Sequence, residues 1–400
     1  MTMRCLRRSP LSWALSCPGR LAITLLTLLT LLGGCQSSEA PDEPDDPIRM
    51  YVGTWTGSEG GGRGIYRLDF DTTTGAISAP QPVTETPNPS YLAFAPGGQY
   101  LYSVNQTADS SSVSAFRVDE TTGALTLLNT VPAGGQSPCY ISIDETGQWV
   151  LVANYVSGTV AVLPVRADGS LREATQVVQH TGSGPNPDRQ EGPHAHYINV
   201  GPQNRFAFAS DLGIDQVRIY PLDTERGRLD EQSVRVVETA PGSGPRHLDV
   251  HPSGEYIYVV GELDGTVTTY AYDAEAGQMV EQQTVSTLPG DFEGANKSAD
   301  IHVHPSGKFL YASNRGDADS IVAYAIDPET GRLTVVGRQA EAIDWPRNFA
   351  IDPSGRYLLA ANRHADRLTV YRIDPATGAL SFTGHTAAVP EPMCIKFLVP

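Results

Sequence analysis

Apolar and polar positions along this chain alternate in short runs broken by tight turns. The stretch Gly242 to Leu263 shows the unit clearly. One run covers Arg246 to Val250, a second covers Tyr256 to Val260, and His251-Pro252-Ser253-Gly254 lies between them. Runs of β-branched and aromatic residues interrupted by a Pro/Ser/Gly cluster predict a β-hairpin. Its first strand starts, and its second ends, on the same edge. Arg246 and Glu262 are therefore expected to be neighbours at the end opposite the turn.

The same pattern recurs along the chain. The last strand residue before each turn is Phe94, Ile143, Val200, Val250, Val303 and Ile351, at spacings of 49, 57, 50, 53 and 48 residues. After each hairpin a third strand runs to an acidic residue, as in Val267 to Asp273. A Gly-containing turn such as Glu329 to Leu333 then leads into a fourth strand. Four strands at a period near 50 define one propeller blade. The chain ends supply a seventh unit. Met393 to Pro400 matches the first strand of the hairpin, and Ile48 to Thr54 matches the second. The expected fold is all-β, a seven-bladed β-propeller closed by the N- and C-terminal strands in one blade. Such closure leaves no exposed strand edge. No run is long and periodic enough to predict a helix.

Residues 1–34 break the pattern. Arg4, Arg7, Arg8 and Arg20 precede the apolar run Leu21 to Leu32, and Gly33-Gly34-Cys35 follows. This is the layout of an export signal, and the run is shorter than the roughly 20 residues needed to span a bilayer. Leu31-Leu32-Gly33-Gly34-Cys35 resembles a bacterial lipobox, which implies lipidation at Cys35. Gln36 then implies the outer membrane in a Gram-negative cell, facing the periplasm. Residues 35–48, rich in Pro, Asp and Glu, read as an unfolded tether. Residues 49–400 are the propeller. A lipid anchor is thus the expected membrane contact.

Charge narrows the partners. The chain carries 28 Lys and Arg against 45 Asp and Glu. Without residues 1–34, which hold four arginines and no acids, the balance is 24 minus 45, or −21. That disfavours nucleic acid. An anionic substrate would need a local basic cluster to overcome the global field. Of five cysteines only Cys139 and Cys394 fall in the propeller, each at the start of an inner strand. No disulfide framework or metal-ligand spacing is present, and buried free thiols are expected.

Aligning the hairpins gathers candidate chemistry at one mouth of the ring. Four residues before the reference position stand Ser90, Cys139, His196, Arg246, Ala299, Arg347 and Cys394. The ends of the second strands add Glu262, Arg315 and Arg363, and His194 and His247 lie close by. His194 and His196, two apart on a strand, share a face and could hold a metal, but no third ligand is spaced to join them. His302, His251 and His304 read as packing or turn residues.

The motifs Gly244-Pro-Arg-His-Leu-Asp-Val-His-Pro252, Gly261-Glu-Leu263, Ala299-Asp-Ile-His302, Ser313-Asn-Arg315 and Trp345-Pro-Arg347 resemble the seven-bladed propeller lactonases. That family includes bacterial propeller-type 6-phosphogluconolactonase and fungal carboxymuconate cyclase. The resemblance implies hydrolysis of a sugar lactone without a cofactor; the expected state is a monomer. It places catalytic roles on His194 or His196, Arg246, Glu262 and Arg315. His247, Arg347 and Arg363 would contact a small anionic or lactone substrate. A histidine suits the general base near neutral pH, Glu262 would orient water, and Arg246 would stabilise the oxyanion. His194-Ala-His196 stands where the bacterial enzymes can have Ser-Ala-Asn, which leaves open a carboxymuconate-type cycloisomerase at the same site. A ligand- or partner-binding propeller without turnover is a further alternative. A calcium-dependent propeller lactonase is weaker, because its central carboxylate cage is not evident.

Overall fold

The computed structural model describes residues 47–107 and 110–399. Cys35, the export signal and most of the tether lie outside the described residues. The chain divides into residues 1–43 and Pro44–Pro400, and the second unit contains all of the described strands.

Alternating patterning and Gly-bearing turns produce seven antiparallel sheets, six of four strands and one of five. The first described strand is Ile48–Thr54. It pairs with the last, Pro392–Phe397, through Met50 opposite Phe397 and Val52 opposite Ile395. One blade is therefore built from both ends of the chain, as the complementary termini predicted. The first strands of successive blades touch in an unbroken cycle: Leu92–Phe94, Pro138–Ile143, Ala195–Val200, Pro245–Val250, Asn296–Val303, Pro346–Ile351 and Pro392–Phe397. They line the central channel. The only helical turns among the described residues are two short 3-10 segments, Pro202–Asn204 and Leu212–Ile214.

The repeat also explains how blades hold one another. At the turn into the fourth strand, Asp327 accepts from the backbone of Glu329 and Thr330 and from the Thr330 hydroxyl. That fixes the Gly331 carbonyl, which accepts from Tyr258 Oη of the preceding blade at 2.9 Å. The same bond recurs from Tyr51 to Gly123, Tyr102 to Gly169 and Tyr311 to Gly378. On the edge away from the arginines, His251 and His304 each donate across to the next blade, at the carbonyls of Gly307 and Gly355. Cys139 and Cys394 are buried free thiols.

Candidate active site

A backbone irregularity near the start of the inner strands positions the site. In Pro245–Val250, Pro245 pairs with Gly261 and His247 with Val260, so Arg246 has no partner across the ladder. Cys139, His196 and Arg347 are skipped in the same way. Such a β-bulge re-aims the extra side chain and strengthens the local twist.

Around Glu262 three guanidiniums converge. Arg189 Nη2 donates to Oε1 at 2.6 Å, and Arg315 Nη2 donates to Oε2 at 2.9 Å. Arg246 Nε lies 2.9 Å from Oε2 as an ion pair, although its N–H is not aimed for a hydrogen bond. Burial alone would raise the pKa of Glu262. Arg315, Arg246 and Arg189 outweigh it and hold the carboxyl well below the usual carboxylate range. Glu262 is a fixed anion, too weakly basic to take a proton near neutrality.

Beside this cluster lies a cavity of about 250 Å³ lined by His196, Glu262, Arg315, Arg347 and Arg363, and also by Tyr155, Arg189, Lys297, Trp345, Gln106 and Cys139. Arg347 is the cation of interest. Among the described residues its guanidinium has no hydrogen bond or ion pair. Burial, then Arg246 and Arg315, pull it down to about 9, so it remains charged at neutral pH. Neither ring nitrogen of His196 has a partner among the described residues, and Nδ1 is fully enclosed. Burial and the surrounding Arg246, His247, Arg347 and Arg315 hold His196 well below the usual histidine range. It is neutral and has a lone pair to offer.

The remaining sequence candidates sit elsewhere. Arg246 is only 1% exposed and is not among the residues that line the cavity. His194 is outside the lining. Its ring stacks on Tyr155 at 4.5 Å, with Nδ1 bonded to the Tyr155 carbonyl and Nε2 to Glu191. His196 meets Tyr155 edge-on, so the two histidines flank one ring. Among the described residues no group of three His, Cys, Asp or Glu is placed to hold a metal ion. His247 is also outside the lining and faces Arg246 and Asp300. Arg363 lines the cavity but is engaged by Glu391 and lies over the Trp55 ring.

Sequence reading missed Arg189 and gave no site role to Tyr155, Trp345 or Asp300. Arg189 arrives on the connection between Gln176–Gln179 and Ala195–Val200, within the longest repeat spacing, and that extra length was the available signal. Gln190 pins this connection by donating to the Leu212 carbonyl and to Asp215. Gly213 lets it lie close, since a Cβ there would sit 1.9 Å from the Gly192 carbonyl. Trp345 is held at a φ of 55° while its N–H donates to Asp319. Arg189 is partly exposed, and Glu262 keeps two arginines without it. Arg189→Met should therefore raise KM about tenfold and change stability by less than about 1 kcal/mol. Steady-state kinetics beside a urea titration check both.

His247 and His196 on the acid side and His302 on the alkaline side shape the pH range of stability. Burial, then Arg246, pulls His247 down to about 3, against the opposing pull of Asp300. A depressed pKa gives stability that is present above pH 6.5 and lost as pH falls towards 3. His302 is raised to about 9. Burial lowers it, and the carboxylates of Asp300 and Asp249 more than reverse that. Its stabilisation is full below pH 6.5 and lost as pH rises through 9. Thermal unfolding against pH should thus peak near 6.5, and His302→Asn should abolish most of the decline on the alkaline side up to pH 9.

A family model described as "Lactonase, 7-bladed beta-propeller" matches residues 49–397. The chain belongs to the seven-bladed β-propeller lactonases. It is 40% identical over 348 residues to a 6-phosphogluconolactonase of Bacillus subtilis, covering 87% of this chain and 97% of that protein. A 6-phosphogluconolactonase of Formosa agariphila is 35% identical over 322 residues, 79% of this chain and 90% of that one. The solved structure of a periplasmic gluconolactonase from Pseudomonas aeruginosa superposes with a TM-score of 0.83 at 35% identity, covering 88% of this chain and 99% of that one.

Proposed function

We propose that this protein hydrolyses a sugar lactone in the arginine-lined cavity, with His196 as general base and Arg347 as the acceptor of negative charge. The observation that carries the reading is the pairing, in one cavity, of a neutral histidine ring and a guanidinium that have no hydrogen bond or ion pair among the described residues. Opening a lactone requires a base for water and a cation for the oxyanion. His196 takes a proton from water as its oxygen bonds to the carbonyl carbon, and returns it to the ring oxygen as the ring C–O bond breaks, leaving the open-chain hydroxy acid. Arg347, whose planar fork has no partner among the described residues, receives the carbonyl oxygen and then the product carboxylate. Arg315 lies beside it. Glu262, saturated by arginines, fixes the wall rather than accepting a proton. The sequence expectation gave the oxyanion to Arg246; because Arg246 is not among the lining residues and Arg347 is, we give that role to Arg347.

The names of the relatives support a sugar lactone, 6-phosphogluconolactone among the candidates. The lipobox-like Cys35 supports an exported, lipid-anchored protein, for which an unphosphorylated aldonolactone is the accessible substrate. A neighbour named as a periplasmic gluconolactonase supports the same reading. The test is proton release by residues 36–400 on aldonolactones with and without a 6-phosphate, with and without EDTA. Opening that is lost in Arg347→Met supports the assignment. No turnover on any of them rejects it and favours the cycloisomerase. Release of the Cys35→Ser chain from the membrane fraction checks the anchor.

A further inference from the structure

One residue further along, the inner strands carry a second row of side chains, none of which lines the cavity. Three residues before each reference position stand Tyr91, Tyr140, Tyr197, His247, Asp300 and Asn348. The three tyrosines and His247 pack ring to ring across the channel. His247 and Asp300 have a further relation to the site.

Asp300 is buried. Its Oδ1 accepts from His247 Nδ1 at 2.8 Å and from the Ile301 backbone at 3.1 Å. Its Oδ2 accepts from His302 Nε2, Asn348 Nδ2 and the Phe349 backbone. On the other side of the imidazole, His247 Nε2 lies 3.2 Å from Arg246 Nη1. Nη1 also donates to the Ala299 carbonyl, so both of its hydrogens are held from below. An ionised carboxylate only accepts and a guanidinium only donates. His247 must therefore carry its proton on Nδ1 and present a lone pair at Nε2. Neither a ring flip nor the other tautomer satisfies both neighbours.

We propose that Asp300 and His247 are positioning residues for the reaction. Asp300 fixes the tautomer of His247, and His247 orients Arg246 against Glu262, which in turn aligns Arg315 and Arg189 on the cavity wall. The proposal rests on the lactonase reading of that cavity. Neither residue lines the cavity, and their effect is exerted through Arg246. Asp300 has a structural duty as well, since its partner Asn348 accepts from the Ile395 backbone and so reaches the closing blade. His247 is the cleaner probe.

The experiment compares His247→Leu with His247→Gln, whose Oε1 replaces the acceptor at Nε2. A misplacement of about 1 Å costs on the order of 10²-fold. His247→Leu should lower kcat/KM by that factor, mostly in kcat. His247→Gln should recover at least about tenfold of the loss. Equal activities in the two variants, or full activity in His247→Leu, would overturn the proposal. ¹⁵N-histidine NMR of the full propeller at pH 7 gives a second readout that needs no turnover, with His247 assigned by its loss in the Gln variant. A proton on Nδ1 in wild type, shifted towards Nε2 in Asp300→Asn, supports the positioning chain. An Nε2–H tautomer or a protonated ring in wild type overturns it. Wild-type protein that opens no lactone rejects the lactonase reading, and the tautomer then still accepts or rejects the chain from Asp300 to Arg246.

Discussion

Replacing His196 with asparagine should lower kcat by about 10²- to 10⁴-fold, the range that general-base help contributes. KM and the unfolding midpoint should change little. The ring makes no hydrogen bond among the described residues, so removing it breaks none. The pH profile tests the same assignment. With His196 held well below its usual range, the acid limb of kcat/KM should lie clearly below pH 6.5. In Arg347→Lys, which keeps a charge but moves it, any residual activity should still show a displaced limb. In Arg347→Met one of the causes of the depression is gone, and the limb of any trace activity that survives should move up towards 6.5. A wild-type limb centred at 6.5, or an asparagine variant with unaltered kcat, would remove His196 from the role of base.

Replacing Glu262 with glutamine should destabilise the protein by about 3–5 kcal/mol, the usual cost of removing one partner from a buried ionic group. One carboxylate faces three guanidiniums, and Arg246 and Arg315 are almost fully enclosed. Without it their mutual repulsion in a poorly hydrated site has nothing to oppose it. Denaturant unfolding of the wild type and the variant measures the difference. The double change Glu262→Gln with Arg246→Met should recover part of the loss, because it also removes the most deeply buried of the three cations. A single variant as stable as wild type would mean that the triad is not a unit. Activity should fall with stability in the single variant, since Arg315 and Arg189 lose their common anchor.

Much of this was legible in the residues because it rests on local chemistry. Alternation of period 2 and the His-Pro-Ser-Gly type of turn define each hairpin, and counting them gives the blades. The pairing of Ile48–Thr54 with Pro392–Phe397 followed from two half-hairpins that complete each other. The proximity of Arg246 and Glu262 followed from hairpin geometry alone. The row containing His196, Arg246 and Arg347 could be read because the repeat aligns it.

The sequence by itself thus determined the blade repeat, the closure and the cationic mouth, all of which depend on neighbours within one hairpin or on the register of the repeat. Only the tertiary structure decided which of those residues reach the cavity. The same bulge occurs at His196, Arg246 and Arg347, but only His196 and Arg347 of the three line the cavity. His194, two residues from His196, stacks on Tyr155 and does not line the cavity. Arg189 and Asp300 meet the site from a long connection and from the next blade, at distances of 73 and 53 residues along the chain from Glu262 and His247. Ring closure brings these groups together, and no local pattern of apolar and polar positions encodes a contact made across the channel.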